Sequence, residues 1–151
     1  MRRSRSKPTL LIAGLLTGLM LAIAAVPLLA QPVGVPAYDI SKEVTLSGTV
    51  ASVLQKAAPG MTWGSHLLIE TATGRVDASL GRWGLEGKNA PSIMPGQQVE
   101  VTGMMKTLKG KEIFVTRSVK VNGKVYTMRD AHGMAISPQS RKRAAEKGES
   151  L

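Results

Sequence analysis

The sequence predicts an all-β domain, a small Greek-key barrel of five to six strands, within residues 43–137 of the 151-residue chain. Three observations support this prediction. Apolar and polar side chains alternate in short segments, which is typical of half-buried strands. Gly48 interrupts the first of these segments and would let a long strand bend around a barrel. The pair Asn122-Gly123 is typical of a type I′ hairpin turn between two strands.

Six segments carry the alternating pattern. A stretch rich in glycine and proline, 81–96, separates the third from the fourth and is too interrupted for a long helix. In the fourth segment the alternation places Met105 inward and Met104 outward. Arg117 falls on the apolar face of the fifth segment, so we expect a bulge or a strand break near it. In chain order, the segments are 43–54, 66–71, 75–80, 97–108, 112–121 and 124–128.

The first thirty residues predict a secretory signal peptide. Basic residues precede an uncharged apolar stretch, and cleavage is expected after Ala30. An uncleaved anchor is the alternative, because Leu10–Ala30 approaches the ~20 apolar residues that span a bilayer. Either way, the sequence predicts a periplasmic or otherwise exported protein. The basic residues of this leader are Arg2, Arg3, Arg5 and Lys7.

Charge and cysteine content restrict the function. The chain has no cysteine, which excludes a disulfide framework, a lipoprotein anchor and thiolate chemistry. Its net charge of +10 falls to +6 when the leader is set aside, since 16 basic residues then face 10 acidic ones. A moderately basic exported domain suits anionic lipid, acidic glycan or polymer surfaces.

Two segments flank the predicted barrel. Residues 31–42 begin with prolines and a glycine and are expected to form an extended lead-in. Residues 138–151 are polar and charged, so we expect a flexible, solvated tail that is at most transiently helical around 141–147. The basic run 141–143 could contact a phosphate-rich surface, but a solubilising tail is the favoured interpretation.

The curved first strand and the long insertion after the third strand match the OB-fold, a five-stranded Greek-key barrel. The sequence contains Gly48-Thr49-Val50, Trp83-Gly84, Pro95-Gly96 and Val101-Thr102-Gly103 at barrel positions. Through these residues, and across residues 43–128, the chain resembles a bacterial periplasmic family of small exported OB-fold proteins. This resemblance implies a non-enzymatic binding or stress-related role.

The predicted contact surface is a concave face bounded by residues 61–66, residues 81–88 and a lysine-bearing hairpin. In an OB-fold, the loops after the first and fourth strands flank the usual ligand groove. Tryptophans would supply contact area there, and lysines would attract an anionic partner. We therefore predict a monomeric, non-enzymatic binding module of the cell envelope, whose partner is an anionic ligand or an envelope protein. The candidate residues are Trp63, Arg82, Trp83, Lys106, Lys109, Lys111 and Arg117.

Two alternative functions use the same region. Met61, Trp63 and His66 lie within six residues, and thioether and imidazole ligands suit Cu(I), so a copper- or silver-binding OB-fold protein is one alternative. These three positions are similar to those of periplasmic copper- and silver-binding OB-fold chaperones. A nucleic-acid-binding OB-fold is the other alternative. It is less favoured, because the second and third strands lack aromatic side chains on which bases would stack.

The sequence does not predict an enzyme. Its serines have no histidine and acid nearby in an arrangement typical of nucleophilic catalysis. The many glycines follow turns and do not form a phosphate-binding loop between a strand and a helix. No cofactor is therefore expected, with copper as the alternative.

Export can be tested with a reporter. We expect residues 1–42 fused to alkaline phosphatase to give an active enzyme, because that reporter needs the oxidising periplasm. Replacing the four basic leader residues with glutamate should abolish its activity, because the positive end must stay in the cytoplasm. An inactive unchanged fusion would contradict the predicted export, and activity in the charge-reversed fusion would contradict the role of the basic residues. Mass spectrometry distinguishes a chain cleaved before Gln31 from one that keeps Met1.

Overall fold

The computed structural model describes residues 37–148, so the predicted leader lies outside the described residues. Within this range no helix is both long and apolar enough to cross a membrane. A 3-10 turn precedes the first strand and an α-helix follows the last. The elements are the 3-10 turn Ile40–Lys42, β1 (Val44–Leu54), β2 (Ser65–Thr71), β3 (Gly74–Gly81), β4 (Gln98–Leu108), β5 (Lys111–Val121), β6 (Lys124–Thr127) and α1 (Pro138–Lys147).

The strands form a closed barrel. The sheet order is β3-β2-β1-β4-β5-β6, and a parallel pairing of β3 with β5 closes the first five strands into a ring. This order is that of an OB-fold-like Greek-key barrel, so the predicted fold class is confirmed. The predicted Asn122-Gly123 turn is also present, since both residues have the positive φ that a type I′ turn requires.

β1 is shared by the two halves of the barrel. Its first half pairs with β4 and its second half pairs with β2, and Gly48 takes part in both pairings. A Cβ atom at Gly48 would lie 2.3 Å from the carbonyl oxygen of Glu70 on β2. Only glycine permits such a close approach, so the predicted role of Gly48 in the bend has a direct structural basis.

The core fills the inside of this ring. Its members are aliphatic side chains from all five barrel strands, packed around the buried ring of Phe114. Met128, after β6, and Ile93, in the β3–β4 connection, belong to the same cluster. The connecting segments thus cover the barrel as well as link its strands. The largest fully buried aliphatic side chains are Leu67, Ile69, Leu80, Met128, Val50, Val101 and Val119.

A bulge lies where Arg117 was expected to cause one. Thr102 pairs with Ser118 and Gly103 pairs with Thr116, so the register passes over Arg117. The Arg117 side chain leaves the core and donates two hydrogen bonds to Glu43, at 2.5 and 2.8 Å. A bulge redirects a side chain in this way without ending the strand.

Two methionines of β4 differ from the prediction in their burial. Met104 is 6% exposed and Met105 is 43% exposed. Met104 is covered because the lead-in folds over it, with the backbone N–H of Asp39 3.3 Å from its sulfur. Met105 pairs with Phe114 on β5. β1 begins at Val44, which pairs with Gly103, so Met105 lies in the part of the β4–β5 hairpin that extends beyond β1 and that β1 does not flank. The predicted burial of the two methionines was wrong because alternation shows only which face of the strand a side chain lies on. It does not show which other segment covers that face.

The C-terminal segment also differs from the flexible tail that was expected. It forms helix α1, whose first turn is capped by the Ser137 hydroxyl, 3.2 Å from the Ser140 N–H. Gly148 ends the helix in a left-handed conformation. Composition indicated a solvated tail because the segment has almost no large apolar side chains. The helix packs instead through Ala144 and through Arg141, which is only 6% exposed.

The bend of β1 can be tested by substitution. Gly48→Ala is expected to destabilise the fold by about 1–3 kcal/mol, the usual cost of forcing extra atoms into a packed region. Urea denaturation followed by circular dichroism measures the loss. Ser47→Ala is the matched control, since Ser47 is an exposed neighbour on the same strand. Equal denaturation midpoints for the two variants would contradict the proposed role of Gly48.

Candidate binding surface

Trp63, Arg82 and Trp83 form a cluster on the surface in which Arg82 lies over both indole rings. The guanidinium carbon of Arg82 lies 4.8 Å from the ring centroid of Trp63 and 5.1 Å from that of Trp83. Trp63, one of the two tryptophans of the chain, is 77% exposed in spite of its large apolar side chain. The structure thus brings together three of the seven residues named from sequence. We call these three residues the tryptophan–arginine stack.

A close contact between two loops positions the stack. Gly64, in the β1–β2 loop, has φ +122°, and a Cβ atom there would lie 2.4 Å from the backbone of Gly81. The Ser65 hydroxyl also donates to the carbonyl of Gly81 at 3.2 Å. Trp63 precedes the first glycine and Arg82 follows the second. The loop contact therefore sets their side chains next to each other.

A groove of about 560 Å³ runs beside the stack. Lys56 adds a second positive charge to Arg82, and Glu86 adds one negative charge. The groove is therefore mixed in charge but carries more positive than negative side chains. Its lining residues are Gln55, Lys56, Ala57, Trp63, Gly64, Arg82, Trp83 and Glu86.

The tip of the β4–β5 hairpin reaches the loop that carries Trp63. The Lys111 ammonium lies 3.5 Å from the carbonyl oxygen of Gly60 in that loop. Lys109 is exposed and has φ +50°, so it and Gly110 form the turn. Lys111 therefore adds a positive charge next to the loop that carries Trp63.

Lys106 and Arg117 are directed elsewhere. The Lys106 ammonium lies 5.9 Å from the ring centroid of Tyr38, in the lead-in. Arg117 is held by Glu43, and the hydroxyl of Tyr38 donates to the same carboxylate at 2.6 Å. The hydrogen bonds from Arg117 lower the pKa of Glu43 more than burial raises it. The bulge explains why Arg117 attaches the lead-in to the barrel and does not join the stack.

Arg141 is a residue that sequence analysis did not assign to this region. Its guanidinium donates to the backbone carbonyls of Trp83, Gly84 and Glu86. Helix α1 therefore holds the backbone that carries Trp83. The only signal in the sequence was the basic run 141–143, which does not distinguish Arg141 from its exposed neighbours.

His66 is fully buried and both of its ring nitrogens are engaged. Nδ1 lies 2.6 Å from a carboxylate oxygen of Asp77, and Nε2 lies 2.7 Å from the backbone carbonyl of Thr62. A metal ion on His66 would have to displace one of these bonds. Within residues 37–148, no group of three or more histidine, cysteine, aspartate or glutamate side chains could hold a metal. Copper binding through Met61, Trp63 and His66 thus stays a prediction.

The two partners of His66 favour its charged form. Carboxylate and carbonyl oxygens only accept hydrogen bonds, so both ring nitrogens must carry a proton to satisfy them. Burial lowers the pKa of His66, but the bonds to Asp77 and Thr62 outweigh it, and the net pKa is raised. The imidazolium thereby fixes Thr62, the residue before Trp63.

This arrangement predicts a pH dependence of stability. The pKa of His66 in the folded protein lies above the unfolded value of about 6.5. The free energy by which the charged His66 stabilises the fold is therefore fully present below the unfolded pKa. This stabilisation is lost as the pH rises through the pKa of the folded protein. Asp77→Asn should reduce this pH-dependent loss of stability. His132→Gln, which changes the exposed second histidine, is the control and should leave the loss unchanged. Urea denaturation from pH 6 to 9 measures it. Stability that does not change with pH in this range would contradict the charged pair.

Comparison with known proteins identifies the family. The model of the MamS/MamX magnetosome protein family matches residues 42–126, more than half of the chain. A search of curated proteins found no match. This is not the periplasmic OB-fold family that the sequence resembled, so that family assignment was wrong. The resemblance rested on glycines and valines that many small barrels need, and such residues do not distinguish one family from another. The chain belongs to the MamS/MamX magnetosome protein family.

Proposed function

We propose that this chain is an exported, non-enzymatic binding protein of the cell envelope that associates with magnetosomes. It contacts an acidic partner protein through the tryptophan–arginine stack and the neighbouring lysines. Magnetosome association is supported by the family of the chain. Export is supported by the leader, whose basic start and apolar run are typical of secretory signals.

The observation that carries this proposal is the exposed tryptophan–arginine stack. Leaving a tryptophan 77% exposed forgoes the free energy that its burial would provide. Tryptophan and arginine are also the residues most often found at the energetic centres of protein interfaces. Arg82 lies over both indole rings, and these contacts reduce the side-chain freedom that is lost when a partner binds.

The charges near the stack favour an acidic partner. Lys56 and Lys111 belong to the same side of the barrel as Arg82, through the groove and through the contact with Gly60. Among residues 37–148, Glu86 is the one acidic residue that lines the groove. A protein with carboxylates opposite these cations would be steered to the surface and oriented on it.

The buried histidine supports a binding role over a catalytic one. His66 and Asp77 have the pairing that a general base would need, but the second nitrogen of His66 is bonded to a backbone carbonyl. The imidazole is also fully buried, so a substrate could not reach it without opening the loop. The pair is therefore better suited to holding the β1–β2 loop in place.

The proposal predicts where the protein is found in a magnetosome-forming bacterium. We expect the tagged full-length chain to co-purify with isolated magnetosomes. Trp63→Ala combined with Arg82→Ala should move at least about tenfold more of it to the soluble fraction, because truncating two central interface residues can cost more than 1.4 kcal/mol. Quantitative immunoblotting of the fractions measures the change.

Ile40→Ala is the control for this experiment. Ile40 is also an exposed apolar residue, 56% exposed, but it lies in the 3-10 turn Ile40–Lys42 and not in the stack. The control should stay with the magnetosomes. Absence of the unchanged chain from purified magnetosomes would contradict the association, and equal retention of the double variant would contradict the proposed contact surface.

A further inference from the structure

A second groove lies between helix α1 and the β5–β6 hairpin. Its volume is about 610 Å³, which is within the usual range for small-molecule sites. Among the described residues, it shares no lining residue with the groove beside the tryptophan–arginine stack. The lining residues are Asn89, Arg117, Ser118, Lys124, Val125, Tyr126, Thr127, Arg141, Ala144 and Ala145.

The charged side chains that line this second groove are positive. Arg117, Lys124 and Arg141 are positive, and none of the described residues that line it is acidic. Arg117 is compensated by Glu43, with which it forms an ion pair at 2.5 Å. Among residues 37–148, neither Lys124 nor Arg141 forms such an ion pair: Arg141 donates to backbone carbonyls, and the Lys124 ammonium lies 4.9 Å from the ring centroid of Tyr126.

Arg141 makes the excess positive charge costly. A buried cation is stable only when its lost hydration is replaced, and carbonyl dipoles replace only part of it. Its Nε is buried and has no hydrogen-bond partner in residues 37–148. Burial lowers the pKa of Arg141, against an opposing effect of Glu86. A negative charge in the groove would attract this guanidinium more strongly than in bulk water, because the guanidinium is largely buried.

The number of uncompensated charges indicates the kind of anion. Two positive charges, on Lys124 and Arg141, match a dianion better than a carboxylate. The walls contribute both polar groups, such as Asn89 and Ser118, and apolar surface from Tyr126 and Ala144. We propose that this groove binds a phosphate monoester, with the phosphate at Lys124 and the organic part against Tyr126 and helix α1.

The test uses phenyl phosphate, which joins a phosphate monoester to an aromatic ring. Isothermal titration calorimetry on the full-length chain, purified as its host processes it, should show saturable binding at one equivalent. Lys124→Gln should weaken binding about tenfold, the loss expected for one charge-assisted hydrogen bond. Lys120→Gln is the matched control, since Lys120 is an exposed lysine of β5 that pairs with Glu100 and does not line the groove.

Two further ligands identify the chemistry and its source. Benzoate, which carries one charge on the same ring, should bind more weakly than phenyl phosphate. Vesicles of phosphatidylcholine with phosphatidic acid present the same phosphate monoester on a lipid. If the Lys124-dependent binding occurs only with these vesicles, the source is a lipid headgroup. If it occurs with phenyl phosphate, a soluble ligand suffices.

Three results would overturn the proposal. The first is no binding of either phosphate probe. The second is an equal loss in Lys124→Gln and Lys120→Gln, which would mean attraction to overall charge and not to a site. The third is equal affinity for benzoate and phenyl phosphate. Thermal unfolding of the two variants verifies that each is folded before the titrations are compared.

Discussion

The bend of β1 at Gly48 is the constraint on which the rest of the structure depends, because both halves of the barrel are built on this strand. Residues before Gly48 pair with β4 and residues after it pair with β2. The backbones approach too closely at this point for any side chain. β1 thus joins β2 and β3 to β4 and β5, and the parallel pairing of β3 with β5 closes the ring.

Much of the barrel could be predicted from the sequence, since alternation and turn residues are local properties. All six strands, the Asn122-Gly123 turn and the bulge at Arg117 are present in the structure. Trp63, Arg82 and Trp83 were also expected on one surface because the loops of an OB-fold converge. What local patterns cannot show is which distant segment covers a residue. The exchanged burial of Met104 and Met105 and the packing of helix α1 both depend on such coverage.

The residues that sequence analysis assigned least accurately are arginines. Arg117 was expected in the same groove as the two tryptophans and instead joins Glu43, and Arg141 was placed in a solvated tail and instead is buried. A long side chain with several donors can reach backbone or carboxylate oxygens far along the chain. Whether such a residue faces a ligand or the protein itself depends on tertiary contacts, which composition and periodicity do not contain.

Helix α1 is attached mainly through polar bonds, and this affects how the protein opens. Segments with few buried apolar side chains tend to separate from a fold at low free-energy cost, well below that of global unfolding. Helix α1 buries only Arg141 and Ala144, so it should be one of the first elements to detach while the barrel stays intact. Because Arg141 also donates to the carbonyl of Trp83, each such opening would release the backbone that carries Trp83. How well ordered the tryptophan–arginine stack is would then depend on the equilibrium between the docked and the detached helix.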